Sequence, residues 1–423
     1  MRRTRKTISA VMLLALSAPV SAFSQHHAED AATSQARLIE GLGNLHHRVT
    51  TKNPEAQRWF DQGLSLVYAF NHEEAIRSFK HAAELDPSLA MAHWGAALAL
   101  GPNYNADVDP GREKAAYDEI QKAVALEPKV SVHERAYIKA LSIRYTDTPN
   151  PDLSKLAHAY SAAMREVARR YPDDPDAGVL YAESMMDLNP WKLWGLDGTP
   201  AAGTLEIVST LESVLKKFPQ HIGANHLYIH AVEASPNPER ALPNARRLAA
   251  LSPAAGHLVH MPAHIFIRTG DYNASTLSNM AAAAVDRSYL AAGAAGPMYP
   301  LMYYSHNLQF LVVSSAIQGN FARAVKAVDE LEKNVQQRGG AMPLMADWTG
   351  PTRALILVRF ARWNEVLNLT EPNKFLPITH ALYHFARGVA LANTGKLPEA
   401  AAELDTLSRE GDAMAPGVTL GFN

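Results

Sequence analysis

Six of the eighteen histidines in this 423-residue chain fall between His221 and His264, five of them in two short stretches. In Asn225-His226-Leu227-Tyr228-Ile229-His230-Ala231-Val232-Glu233, the residues His226, His230 and Glu233 stand at i, i+4 and i+7. In Gly256-His257-Leu258-Val259-His260-Met261-Pro262-Ala263-His264, three more histidines stand at i, i+3 and i+7. On a helix each set shares one face. Neutral imidazole is the commonest protein ligand for zinc, copper, iron and nickel, and a spacing of four brings two imidazoles onto one ion. With no thiolate and few carboxylates in the set, the expected ion is copper or zinc rather than magnesium or calcium. Glu233 has three readings: a ligand, an acceptor for an imidazole N–H, or a catalytic base on metal-bound water. Pro262 removes one helical hydrogen bond, so it kinks the second helix or marks its true start.

Other chemistries leave no trace. There is no cysteine, hence no disulfide, thiolate ligand or cysteine nucleophile. No Gly-rich phosphate loop, Gly-x-Ser-x-Gly elbow or dinucleotide fingerprint is present, and neither histidine pair encloses the glutamate of a zinc-protease helix. A single HxxxH pair arises readily by chance, as His380 and His384 illustrate. His93 and His384 fall at bulky repeat positions and read as packing residues.

The elements that must position the histidines are helical hairpins. From Ala56 the chain reads Trp59, Gly63, Ala75, Phe79, Ala82, Pro87, a bulky residue, a small one, then Ala, aromatic, Ala and a closing Pro. The phase returns at Ala116, Ile120, Ala123 and Pro128, and at Ala241 and Pro253. Gly270-Asp271-Tyr272, Gly319-Asn320-Phe321 and Gly395-Lys396-Leu397 each end one helix before a small residue in the next. Small residues at Gly63 and Ala75 let two antiparallel helices approach, while Trp59 and Phe79 fill the layer between hairpins.

This pattern resembles the tetratricopeptide (TPR) repeat family. The resemblance implies an all-α, right-handed superhelical solenoid whose concave groove is lined by repeat positions two, five and nine. With Ala263 taken as position eight, His257, His260 and His264 occupy those positions. Counting from Ala241 and Ala324 brings His226, His230 and His306 to the same groove. The stretches His-x-x-x-His-Ala-x-Glu and His-x-x-His-Met-Pro-x-His also resemble those of a group of exported bacterial TPR proteins. Two insertions interrupt the array, one around Gly101-Pro102-Asn103-Tyr104-Asn105 and one from Asn189 to Pro200 that carries Trp191 and Trp194. Loops of this kind can carry function, and the plainer reading is that the tryptophans plug a hairpin end.

Arg2, Arg3, Arg5 and Lys6, the apolar run from Ile8 to Leu16, and Val20-Ser21-Ala22 form a secretory signal over residues 1–22. A periplasmic or secreted protein is expected. Residues 23–45 read as a flexible segment, 46–410 as the repeat domain and 411–423 as a tail. Forty basic and 42 acidic side chains give no field for nucleic acid, and no run is long enough for membrane insertion. Three functions stand side by side. One is a metal-binding groove acting in metal handling or as an oxidoreductase, with His226, His230, His257, His260, His264 and His306 as ligands. Another is a scaffold holding a peptide, small molecule or envelope protein in the concave groove. The third is a metal-dependent hydrolase with Glu233 as base. Terminal repeats of a solenoid expose an apolar face unless capped, and a homo-oligomer is one way to cover it.

Overall fold

A computed structural model describes residues 36–293, 295–338 and 343–414. The expected secretory signal, residues 23–35 of the expected flexible segment and residues 415–423 of the expected tail lie outside the described residues, while 411–413 continue the last helix. Helices α1 (Pro54–Tyr68) and α2 (His72–Leu85) form the first hairpin, and α3 (Ala90–Leu100) and α4 (Pro110–Leu126) the second. The third is α5 (Val132–Ser142) with α6 (Leu153–Arg170), the fourth α7 (Pro175–Met186) with α8 (Thr204–Lys217), and the fifth α9 (Ile222–Glu233) with α10 (Leu242–Leu251). In the sixth the first arm is split into α11 (Gly256–His260) and α12 (Pro262–Arg268), both packed on α13 (Tyr272–Ala291). A π-helical turn, Pro300–Tyr304, leads into α14 (Ser305–Ile317), which pairs with α15 (Phe321–Arg338). The short helices α16 (Pro343–Thr349), α17 (Thr352–Arg359) and α18 (Trp363–Leu367) precede the closing hairpin of α19 (Pro377–Asn393) and α20 (Leu397–Ala413). Among the described residues no helix is long and apolar enough to cross a membrane.

Hairpin packing follows the small residues. A Cβ on Gly63 would stand 2.6 Å from the Phe79 ring, and one on Gly95 in the next hairpin 2.4 Å from the same ring. Phe79 is therefore clamped between two repeats and fully buried. Helix starts are set by side-chain caps: Asn53 on α1, Asp109 on α4, a reciprocal Ser131 and Glu134 box on α5, and Asp152 on α6.

The array coils back on itself. Helix α1 packs on α9, where a Cβ at Gly223 would meet the Tyr68 ring at 2.6 Å. Glu73 accepts the backbone N–H groups of Met298 and Tyr299, and Tyr289 donates its hydroxyl to Glu74 at 3.0 Å. The first hairpin thus touches both the fifth and the approach to the seventh.

Residues 36–45 of the expected flexible segment lie against the array. Ile39 N–H donates to Gln62 Oε1 at 2.7 Å, Gln62 Nε2 donates to the Arg37 carbonyl at 2.9 Å, and the Gly41 carbonyl accepts from Ala254 N–H at 2.9 Å. Leu42 is buried. The stretch has no helical period, but its apolar residues lie across the α1 and α10 ends. Gly43, at φ +93, passes so close that a Cβ would meet the Leu251 carbonyl oxygen at 2.6 Å. At the other end α20 buries none of its residues, and Leu397 and Leu404 face solvent.

Candidate metal centre

Helix α9 presents His226 and His230 one turn apart, with Glu233 at its C-terminal end. Beside it, α11 and α12 follow a helical path through Met261 (φ −50°, ψ −35°), although Pro262 interrupts the hydrogen-bond ladder. His257, His260 and His264 remain neighbours along this path, with ring centroids 5.8 Å and 4.8 Å apart in succession. His306 arrives from the first turn of α14. The six imidazoles meet, but not as one set per helix. His257 joins His226 and His230, while His260 and His264 join His306, and within each trio the ligand atoms lie within 4.8 Å of one another. The two trios abut through His230 and His264, whose rings are 5.4 Å apart.

Acceptors behind the rings fix their tautomers. His226 Nδ1 lies 2.7 Å from the Tyr68 carbonyl oxygen, which can only accept, so Nδ1 carries the proton. His230 Nδ1 donates to Glu233 Oε1 at 2.7 Å and His264 Nδ1 to Glu233 Oε2 at 2.5 Å. His260 Nδ1 donates to Asn279 Oδ1 at 2.6 Å, and the Asn279 amide is oriented by its own Nδ2 bond to the Ser275 carbonyl at 2.7 Å. All four rings therefore direct an Nε2 lone pair inward. His226 Nε2 faces His257 Nε2 at 3.1 Å, and His264 Nε2 faces His306 Nε2 at 3.3 Å. His230 Nε2, His260 Nε2 and His257 Nδ1 are buried with no hydrogen-bond partner.

Electrostatics agree with neutral rings. Burial, reinforced by neighbouring imidazoles, holds His226, His257 and His260 far below the ordinary histidine range. Burial also lowers His230 against the pull of Glu233, and burial with His264 alongside pushes His306 down to about 3. Burial by itself would raise the Glu233 carboxyl, but His264 and His230 outweigh it and hold the group ionised, well below the usual carboxylate range.

Aromatic side chains close the centre. Phe70 covers the first trio, with ring centroids 4.5 Å from His226 and 5.5 Å from His257. It sits just past α1 at φ +55°, a left-handed conformation that costs a non-glycine residue roughly 1–2 kcal/mol. Phe310 covers the second trio, 4.8 Å from His260 and 4.6 Å from His264. Both insertions cover the His230 side: Tyr104 lies 5.2 Å and Trp191 5.7 Å from the His230 ring, and they pack on each other at 4.9 Å. Trp194 anchors the second insertion through Nε1, which donates to the Ala231 carbonyl at 2.7 Å. Five of the six histidines are at most 1% exposed, while His306, Phe310, Glu233 and Trp191 are half-buried.

Several participants carry no signal in the sequence. Asp286, pushed up to about 7 by burial, accepts from Tyr299 Oη at 2.8 Å and from Asn307 Nδ2 at 2.7 Å. Tyr299 Oη in turn accepts the His257 N–H at 3.3 Å, so one buried acid braces the His257 backbone and the side chain of Asn307, the neighbour of His306. The pair His380 and His384, read as coincidence, does converge with Glu371. Three of its four ring nitrogens are engaged by Glu371, Glu410 and Glu403, while His384 Nε2 is buried without a hydrogen-bond partner. His93 Nδ1 hydrogen-bonds to Glu119 Oε2 at 2.8 Å. A further group, His47 with Asp174 and Asp176, joins the N-terminal segment to α7.

The first two antiparallel hairpins share the clamped Phe79 layer, and the fifth and sixth hairpins lie side by side with their first helices facing. The fold is a tetratricopeptide-type solenoid. No family model matches the sequence, and no curated protein does. Among solved structures this TPR array is similar to the human IFIT1 dimer with PPP-AAAA, at 12% identity over 84% of this chain and 72% of that one, with a TM-score of 0.44. It is also similar to yeast Tom70, at 10% identity over 85% of each chain and a TM-score of 0.29. The TPR domain of P58(IPK) matches at 13% identity over 84% of this chain and 92% of that one, with a TM-score of 0.21.

Proposed function

We propose that each histidine trio holds one transition-metal ion, copper or zinc, and that the pair forms the centre of an exported copper-dependent oxidoreductase. The spacing of the inward nitrogens carries this reading. Two imidazoles bound to one tetrahedral ion at about 2.0–2.1 Å stand roughly 3.3 Å apart. The facing Nε2 pairs are at 3.1 Å and 3.3 Å, one pair in each trio. His230 Nε2 in one trio and His260 Nε2 in the other are buried without hydrogen-bond partners, which is costly in an apolar interior, and a cation in each trio supplies what is missing. Histidines whose other nitrogen is engaged by a carboxylate, carbonyl or amide oxygen are the usual metal-binding arrangement.

Three imidazoles per ion leave a coordination position open for a reacting molecule. Copper stands above zinc in the general affinity order for nitrogen sites, and of the two only copper changes oxidation state. The hydrolase alternative asks Glu233 for a free basic oxygen, whereas both of its oxygens accept imidazole N–H groups. Glu233 is better suited to orienting His230 and His264. A scaffold function draws on other surfaces of the array, since the buried imidazoles offer nothing to a polypeptide. Export, expected from residues 1–22, would place metal loading outside the cytoplasm.

The test is elemental analysis with electron paramagnetic resonance on untagged protein, beside the His226→Ala/His260→Ala double variant. About two copper ions per chain are expected, with a resonance much weaker than the copper content because adjacent oxidised ions couple. Loss of metal in the double variant with retained helical circular dichroism supports the assignment. Background metal in both proteins after attempted reconstitution with copper and zinc removes it.

A further inference from the structure

The wall formed by Tyr104 and Trp191 has two sides. One faces the His230 ring. The other lines a cavity of about 400 Å³ bounded by the first insertion, α4, α6 and the loop after α7. Its outer rim, at Leu153, Ser154 and His158, is exposed, while Tyr104 and Asn103 at its inner end are buried.

The charges around this cavity are unbalanced. Asp107, Glu113 and Asp187 line it against the single guanidinium of Arg144. Arg144 is already engaged: it donates to Asp187 Oδ2 at 3.3 Å and stacks on the Tyr160 ring at 4.9 Å. The Asp187 side chain is 5% exposed, and its second oxygen, Oδ1, has no hydrogen-bond partner. The same is true of Asn105 Oδ1 on the opposite loop. Two buried acceptors beside an excess of carboxylates call for a donor bearing positive charge. Tyr104 and Trp191 line the same cavity, and aromatic side chains suit a flat ring and also attract a cation. A cavity of this size admits a small molecule and no polymer segment with bulky side chains.

We infer that this cavity is a binding pocket for a small aromatic amine, held by its ammonium group at Asp187 and Asn105 and by its ring against Tyr104 and Trp191. The inference deepens the oxidoreductase reading by naming a substrate class for the centre behind the wall. It rests on that reading for what happens to the amine, and on the cavity alone for its capture.

Titration calorimetry on the full chain, metal-free and copper-loaded, with three phenols of similar shape tests it: tyramine, neutral para-ethylphenol and anionic para-hydroxyphenylacetate. Tyramine is expected to bind at least about tenfold more tightly than either of the others, since one desolvated charge pair is worth that much. Asp187→Asn is expected to abolish the preference. Glu113→Gln, on the half-buried rim, is expected to reduce it severalfold and guards against misfolding of the first variant, as Arg144 loses its partner there. Equal binding of the three probes, or a preference unchanged in both folded variants, overturns the pocket. Amine-selective capture by a wild-type chain that takes up no metal upholds the pocket and fails the metal reading, so the two are separable.

Discussion

His230 and His264 belong to different trios yet share one carboxylate, each donating from Nδ1 to a different oxygen of Glu233. A single side chain thereby sets the tautomer and aim of one ring in each half of the centre.

Replacing Glu233 should be felt by both halves at once. Glu233→Gln keeps the shape but offers one acceptor and one donor where two acceptors are needed. The expected outcome is a folded protein whose metal affinity falls about 10–100-fold, measured by competition with a chelator. Unchanged affinity with lost turnover would instead restore the catalytic-base role.

The trios should load separately. His226→Ala removes a ligand of the first and His260→Ala a ligand of the second, so each variant is expected to retain about one ion per chain by elemental analysis. Chelation of the wild type should lower its thermal midpoint, because ions that bind the folded chain stabilise it by mass action. Loss of both ions in either single variant would show one cooperative site instead.

A pH dependence is expected at the buried Asp176, which Tyr68 links to His226. His47 Nδ1 donates to Asp176 Oδ2 at 2.7 Å, and Asp176 also accepts from Tyr68 and His221. Burial by itself would lower His47, but Asp176 outweighs it and raises the imidazole to about 9. A raised folded-state value means the stabilisation is fully present below the unfolded value of about 6.5 and is lost as pH climbs through 9. Its size is on the order of 3 kcal/mol. Urea unfolding at about pH 6 and about pH 10 should show this loss in the wild type and not in His47→Gln. Asp176 is held below its ordinary range, so its share is present at neutral pH and lost only in strong acid.

Packing in the array can be probed at Gly63. A methyl there meets the Phe79 ring, which Gly95 blocks from the other side. Gly63→Ala is expected to destabilise by about 1–3 kcal/mol, read from the denaturant midpoint. Restored stability in Gly63→Ala/Phe79→Leu would locate the cost in that contact.

Much was legible along the chain because helical periodicity and small-residue spacing are local properties. The hairpins around Gly63 and Ala75, the shared face of His226, His230 and Glu233, and the presence of insertions at Tyr104 and Trp191 follow from neighbours within a few turns. The partition of the histidines does not, because it depends on how far α11 and α12 slide along α9. Nor do Tyr68, 158 residues from the imidazole it orients, or Asn279, Phe70 and Phe310. Residue types and their helical faces were set by the sequence alone. Which rings meet, which nitrogen each keeps free and what seals them from water were decided by the coiling of the array, since only that brings the first hairpin against the fifth.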